Sequence, residues 1–147
     1  MALKKHYHTF TALVKQWSSI PLLLMRLVLA YGFFNPAKMK LTNFDAIVGW
    51  FDQLGLPFPA LNAFLATATE SLGVILLFLG LGTRLISIPL MITMAVAIVT
   101  VHWEHGFEAG NNGFEIPMYY LLMLFTLLVF GSGRWSMDYW IENKKSR

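Results

Sequence analysis

Two ionisable residues interrupt apolar runs of this sequence, where a charge is costly. Arg26 lies within residues 20–34, and Glu70 lies near the middle of residues 60–81. A charged group inside a bilayer marks a functional site by default. The two runs are antiparallel, and at about 1.5 Å rise per residue the two depths differ by roughly one helical turn. We therefore expect Arg26 and Glu70 to pair, either to fix helix register or to line a polar cavity that binds a substrate headgroup or a proton.

A second polar group follows the third apolar run. His102 and His105 are three residues apart, and Glu115 begins the next run. Imidazole and carboxylate ligands suit zinc or copper(II), so these three residues form a candidate metal site. Two histidines with loosely spaced carboxylates are not a motif, however. The favoured alternative is that these are solvated loop residues with an ion pair at the helix ends. The eight methionines could suggest copper(I) binding, but helix packing is the favoured explanation for them.

The composition is that of a membrane protein. Hydrophobic residues make up 56% of the 147 residues and charged residues only 13%, whereas a soluble domain carries about 25% charged residues. No basic stripe interleaved with aromatic residues is present, so nucleic-acid binding is set aside. The sequence has no cysteine, which excludes disulfides, zinc–thiolate sites and iron–sulfur ligation by this chain.

The hydrophobic pattern predicts an all-α membrane protein, a bundle of four transmembrane helices. A bilayer needs about 20 apolar residues per helix, and the first run is short for this. An amphipathic pattern in the first outer loop, at Phe44, Ile47, Val48, Phe51 and Leu54, predicts an interfacial helix. The predicted spans are residues 20–34, 60–81, 85–103 and 116–130.

Three regions follow from this pattern: an amphipathic segment over residues 1–19, a transmembrane domain over 20–133 and a tail over 134–147. Lys and Arg concentrate in the two terminal regions and at Arg84. Basic residues favour the cytoplasmic side. We therefore expect a multi-pass protein of a bacterial inner membrane with both termini in the cytoplasm, where the N-terminal segment lies on the anionic membrane surface.

The tail begins with a polar motif that contains Arg134, Ser136 and Asp138. Ser136 is placed to cap a tail helix, with Asp138 in its first turn. This structural role is favoured over a catalytic one.

Taken in order, these motifs resemble the DoxX family of small bacterial inner-membrane proteins, over roughly residues 20–138. Arg26, Glu70, His102, Glu115 and Asp138 fall on the polar motif positions of that family. The matching pieces are RLVLAYG from Arg26, LGLP from Leu54, ESLG from Glu70, LGLGTR from Leu79, NGFEIP from Asn112 and GSGRWSMD from Gly131.

The resemblance implies a link to redox chemistry, because relatives are subunits of thiosulfate:quinone oxidoreductases or partners in thiol-oxidant defence. Without cysteine, electron transfer would need a bound quinone, a metal such as copper, or a partner's cofactor. The chain looks most like members encoded beside copper-binding peptides of the bufferin type and their maturation enzymes. The expected function is thus a redox or quinone-linked accessory in metal-stress defence or in maturation of such a peptide. Alternatives are a non-catalytic scaffold for partner proteins or a small-molecule or metal-ion permease, and a homo-oligomer is open in each case.

Overall fold

The computed structural model describes residues 2–145, and this part of the chain contains helices and no strand. The prediction of an all-α protein is therefore confirmed. The helices are α1 (Ala2–Gln16), α2 (Ser19–Thr42), α3 (Phe44–Gln53), α4 (Pro59–Leu79), α5 (Thr83–Ala97), α6 (Glu115–Phe130) and α7 (Met137–Lys145).

Helix α2 is longer than the sequence pattern predicts. The apolar run ends at Phe34, but the helix continues to Thr42 and contains Pro36 in its interior. The buried positions of α2 recur at helical spacing along its whole length. They are Arg26, Leu29, Ala30, Phe33, Ala37 and Lys40. The prediction of a short first span was wrong because a proline and two lysines were interpreted as a loop.

Helices α4 and α5 are joined by a tight turn in which Gly80 and Gly82 take positive φ angles of 67° and 57°. Helix α5 continues without a break as a π-helical segment, Ile98–His102, and a final 3₁₀ turn, Trp103–His105. Three helices are long and apolar enough to cross a membrane, namely α2, α4 and the continuous Thr83–His105. Helix α6 is apolar but shorter.

The four apolar helices pack as a ring, in which α2 contacts α4 and α6, and α5 contacts the same two helices. A core fills the centre of the ring, and large apolar side chains also cover the outward faces, with Tyr31 78% and Leu85 77% exposed. This is the arrangement expected where lipid replaces water. The core consists of Leu29, Ala30, Phe33, Leu77, Ile86, Leu90, Met94, Leu124 and Leu127.

The bundle has two distinct ends. At the tail end, α7 and the segment before it pack against the α4–α5 turn and the first turns of α2. At the loop end, helix α3 packs against α4 through a small cluster of Ile47, Phe51 and Ala63. The loop between α5 and α6 lies at the same end, since α4 and α5 run in opposite directions.

Candidate functional site

A buried ion pair joins α2 and α4 towards the loop end. The Nζ of Lys40 lies 2.8 Å from Oε2 of Glu70 and donates a hydrogen bond to it. Lys40 is 8% exposed and Glu70 3% exposed. Removing two charges from water costs several kcal/mol each, and their mutual attraction offsets this cost only at close range. The pair therefore constrains how α2 and α4 pack at this depth.

The predicted pair of Arg26 and Glu70 does not form. At about 1.5 Å per residue, Lys40 lies roughly 20 Å further along α2 than Arg26. Glu70 lies at the depth of Lys40, whereas Arg26 reaches the tail end. The prediction was wrong because the first span had been ended at Phe34, which placed Lys40 in the first outer loop instead of in the helix.

Beside the Lys40–Glu70 pair, the bundle encloses a half-open cavity of about 600 Å³. Its lining is mainly apolar and comes from all four apolar helices and α3. Small-molecule sites typically have this size and this mixture of an apolar wall with a few polar groups. The polar lining side chains are Lys40, Asn62, Thr69, Glu70, Thr93, Thr100, His102, Asn112 and Tyr120.

Where α2 lines this cavity, its backbone lacks one helical hydrogen bond and has one glycine in close contact with a neighbouring side chain. Gly32, Pro36 and Lys40 all line it, and their spacing of four residues places them on one helix face. Proline has no N–H, so Pro36 cannot donate the usual hydrogen bond to the carbonyl of Gly32. The ring of Tyr120 packs directly against Gly32 and leaves no room there for a side chain. This glycine–proline–lysine spacing is the sequence signal that could have revealed Lys40.

The loop-end rim of the cavity contains His102. Its Nδ1 lies 2.7 Å from the carbonyl oxygen of Asn112 in the α5–α6 loop. The π-helical segment that ends at His102 holds more residues per turn than an α-helix, and such segments are frequent at functional sites. It changes which side chains of residues 98–102 face the cavity, relative to α-helical spacing.

The metal site predicted at His102, His105 and Glu115 is not formed. His105 places its Nδ1 3.0 Å from the carbonyl of Val101, one turn back on its own helix. Glu115 instead accepts hydrogen bonds from the backbone N–H of Ala109 and the hydroxyl of Tyr119. Within residues 2–145 no three His, Asp or Glu side chains are grouped so that they could hold a metal ion. Each predicted ligand has a local backbone or hydroxyl partner instead.

Arg26 belongs to a polar cluster at the tail end. Its side chain is fully buried, and Nη2 donates a 2.6 Å hydrogen bond to the carbonyl of Trp135. The Nε and Nη1 atoms have no hydrogen-bond partner among the described residues. The guanidinium packs against Gly80 so closely that a Cβ there would collide with it.

Asp138 connects the tail to the α4–α5 turn. Its carboxylate accepts hydrogen bonds from the backbone N–H groups of Gly82 (2.7 Å) and Thr83 (3.1 Å), at the start of α5. Its own N–H donates to the carbonyl of Gly80. A carboxylate at a helix N-terminus is favourable, so Asp138 caps α5 as well as standing in the first turn of α7.

The predicted cap at Ser136 is confirmed. Its Oγ accepts from the N–H of Tyr139 at 3.2 Å and donates to the carbonyl of Gly133. Arg134 contributes through its backbone, whose N–H donates to Oγ of Ser19. The residues of the tail motif therefore build a latch that holds α7 against the start of α2 and the α4–α5 turn.

These features define a helical membrane protein with a half-open cavity, a buried ion pair and a latched tail. Residues 21–103 match the DoxX family, and the chain belongs to that family. The match includes the Lys40–Glu70 pair, the α4–α5 turn and His102.

Curated relatives cover most of the chain. An uncharacterized protein of Haemophilus influenzae is 30% identical over 125 residues, which are 82% of this chain and 83% of that protein. The "Putative oxidoreductase CatD" of Bacillus subtilis is 32% identical over 69% of this chain and 71% of its own length. An uncharacterized membrane protein of Mycobacterium tuberculosis is 32% identical over 78% and 77%, respectively. No solved structure matches this sequence.

Proposed function

We propose that this DoxX protein binds the headgroup of a membrane quinone in the cavity beside Lys40 and Glu70, and serves as a quinone-linked redox accessory. The observation that carries the proposal is a buried ion pair in the wall of an otherwise apolar cavity. A quinone matches this lining, because its ring and tail are apolar and its carbonyl oxygens accept hydrogen bonds.

The free donors of Lys40 support this choice. An ammonium group has three N–H donors, and within the described residues Glu70 is its one hydrogen-bond acceptor. Two donors therefore remain for a ligand. Aromatic residues around the cavity, among them Phe33, Phe51 and Tyr120, offer surfaces against which a ring can pack.

The redox part of the proposal rests on the family and on composition. A relative at 32% identity carries the name of an oxidoreductase. This chain has no cysteine, so it cannot itself carry out thiol chemistry. Electrons would pass between the bound quinone and the cofactor of a partner protein, and this chain would supply the binding site in the membrane.

The membrane arrangement is part of the same proposal. Helices α2, α4, α6 and Thr83–His105 cross the bilayer, with the tail end in the cytoplasm. Helix α3 lies at the outer interface, with Trp50 at headgroup depth. Single cysteines at Asp52 and Glu142, in this cysteine-free chain, test the orientation. An impermeant maleimide applied to intact cells should label D52C and not E142C.

Helix α1 fits the inner membrane surface. Its exposed apolar residues include Phe10 and Val14, and Trp17 is exposed directly after the helix. Lys4 and Lys15 are exposed on the same segment. Such a helix binds anionic lipid through its apolar face and its cations.

The cellular role that we propose is metal-stress defence or maturation of a copper-binding peptide, with the maturation enzymes as partners. It rests on the resemblance to members encoded beside bufferin-type peptides. Loss of copper tolerance on deletion, restored by the wild-type gene and not by a cavity-blocked variant, would support this role. Restoration by the blocked variant would point to a scaffold.

Quinone retained from the native membrane tests the binding site. The protein is extracted with its surrounding lipid in polymer nanodiscs, and quinone is measured per mole of protein. We expect near-stoichiometric quinone above that of empty lipid discs, and a loss in the double variant Lys40→Met/Glu70→Leu. Quinone no higher than in the surrounding lipid would contradict the proposal.

A further inference from the structure

The hydrogen bond of His102 defines its tautomer. A backbone carbonyl can only accept a hydrogen bond, so Nδ1 of His102 must carry the proton that it shares with Asn112. In the neutral imidazole, Nε2 is then unprotonated and acts as an acceptor. No hydrogen-bond partner of this nitrogen occurs in the described part of the chain. His102 is one of the residues that line the cavity, so Nε2 is the acceptor that this residue has left for a ligand there.

The α5–α6 loop holds the partner of His102 in place. Asn112 has a left-handed backbone, with a φ angle of 61°, and Gly113 is buried against the carbonyls of Gly106 and Glu108. Backbone hydrogen bonds from Phe114 to Gly106 and from Glu115 to Phe107 close the loop on itself. The carbonyl of Asn112 is therefore a fixed acceptor, and it holds the imidazole in one tautomer.

Lys40 and His102 consequently offer a ligand opposite hydrogen-bonding groups. The ammonium of Lys40 donates, and it can serve either a carbonyl or a hydroxyl oxygen. Nε2 of His102 accepts, and only a hydroxyl can donate to it. The oxidised quinone has carbonyl oxygens alone, whereas the quinol carries hydroxyl groups.

We propose that His102 makes the cavity selective for the reduced, hydroxyl-bearing form of its quinone ligand. This inference rests on the proposed function and adds the redox form that the site prefers. Selectivity arises because the quinol hydroxyl donates to Nε2, whereas a quinone carbonyl would meet the nitrogen lone pair. An unmatched acceptor on the ligand or on the protein loses its hydrogen bond to water without replacement.

The test uses a decyl-substituted dimethoxy-methyl-benzoquinone and its chemically reduced quinol, titrated under anaerobic conditions into protein in lipid nanodiscs. Wild-type protein should bind the quinol about tenfold more tightly than the quinone, since one hydrogen bond is worth roughly this factor. The variant His102→Asn keeps an amide donor for the Asn112 carbonyl but lacks Nε2. It should bind the two forms with equal affinity.

Two controls separate the role in selectivity from folding. His105→Asn changes a histidine whose Nδ1 also contacts a backbone carbonyl but which does not line the cavity, and it should leave the preference intact. His102→Phe removes Nε2 with a different ring, and it answers the question if His102→Asn does not fold.

Equal binding of both forms by the wild type, or an equal loss of both in the His102 variants, would overturn the selectivity and leave the quinone site standing. If neither the quinone nor the quinol binds to the wild type, the quinone site itself is overturned, and the selectivity with it.

Discussion

The ammonium of Lys40 lies 2.8 Å from the carboxylate of Glu70, and the pair is buried between two neighbouring helices. A buried ion pair rarely stabilises a protein more than apolar residues of the same volume would. Its occurrence beside a cavity of about 600 Å³ therefore fits contact with a ligand better than stability alone. The energetic cost of the pair and its value to a ligand can be measured separately.

Removing one member of the pair should destabilise the protein far more than replacing both members with apolar residues. Lys40→Met and Glu70→Leu should each destabilise the protein by about 3–5 kcal/mol, because each leaves one buried charge without a partner. The double variant should recover most of this loss and still fail to retain quinone. Thermal unfolding in nanodiscs measures the three stabilities. A double variant as unstable as the sum of the single variants would show that the two side chains do not act as a pair.

Filling the cavity should abolish binding without unfolding the bundle. Ala97 lines the cavity, so Ala97→Phe places a ring inside it. Ala95 lies on the same helix, is exposed and does not line the cavity, which makes Ala95→Phe the matched control. We expect at least a tenfold weaker affinity for the quinol in A97F and an unchanged affinity in A95F. Equal affinities in both variants would place the ligand elsewhere.

The latch at the tail end should depend on Asp138. Asp138→Ala removes the acceptor of two backbone N–H groups at the start of α5. Loss of a helix cap costs about 0.5–2 kcal/mol, so we expect lower thermal stability and faster proteolysis of the tail. Glu142→Ala, an exposed change on the same helix, is the control. Identical proteolysis of both variants would mean that Asp138 does not hold the tail.

The two glycines of the α4–α5 turn should respond differently to the same change. Both have positive φ angles, so an alanine at either position costs about 1–2 kcal/mol in backbone strain. At Gly80 the new Cβ would also collide with the guanidinium of Arg26, whereas at Gly82 it would enter open space. Gly80→Ala should therefore lower the unfolding temperature clearly more than Gly82→Ala. Equal shifts would contradict the close packing of Arg26.

The sequence predicts the helices well, because an apolar helix is recognised by hydropathy along a continuous run. It fails at the end of α2, where Pro36 and two lysines carry the signals of a loop while tertiary packing keeps the chain helical. The same error led to the prediction that Glu70 pairs with Arg26, and it left Lys40 out of the candidate site. The helical spacing of Gly32, Pro36 and Lys40 was present in the sequence but has meaning only once the helix is known to continue.

The polar clusters show a second limit of prediction from the sequence, which is that contacts between distant residues leave no local pattern. The cap by Ser136 is a local contact with Tyr139, and local spacing predicts it. Asp138 makes its main hydrogen bonds with Gly82 and Thr83, more than fifty residues away along the chain, and no local pattern contains that contact. His102 is a similar case, because its role follows from the carbonyl of Asn112 in a loop whose path the sequence does not specify.

The position of the bound quinone decides whether the cavity beside Lys40 and Glu70 is its binding site. A quinone with a photoreactive azide on its ring can be cross-linked to the protein in nanodiscs and located by mass spectrometry. If the quinone binds in the cavity, adducts should form on residues that line it, such as those around Lys40 and Glu70, and Ala97→Phe should suppress them. Adducts confined to the outward faces of the bundle, such as Leu72 and Ile75, would contradict it.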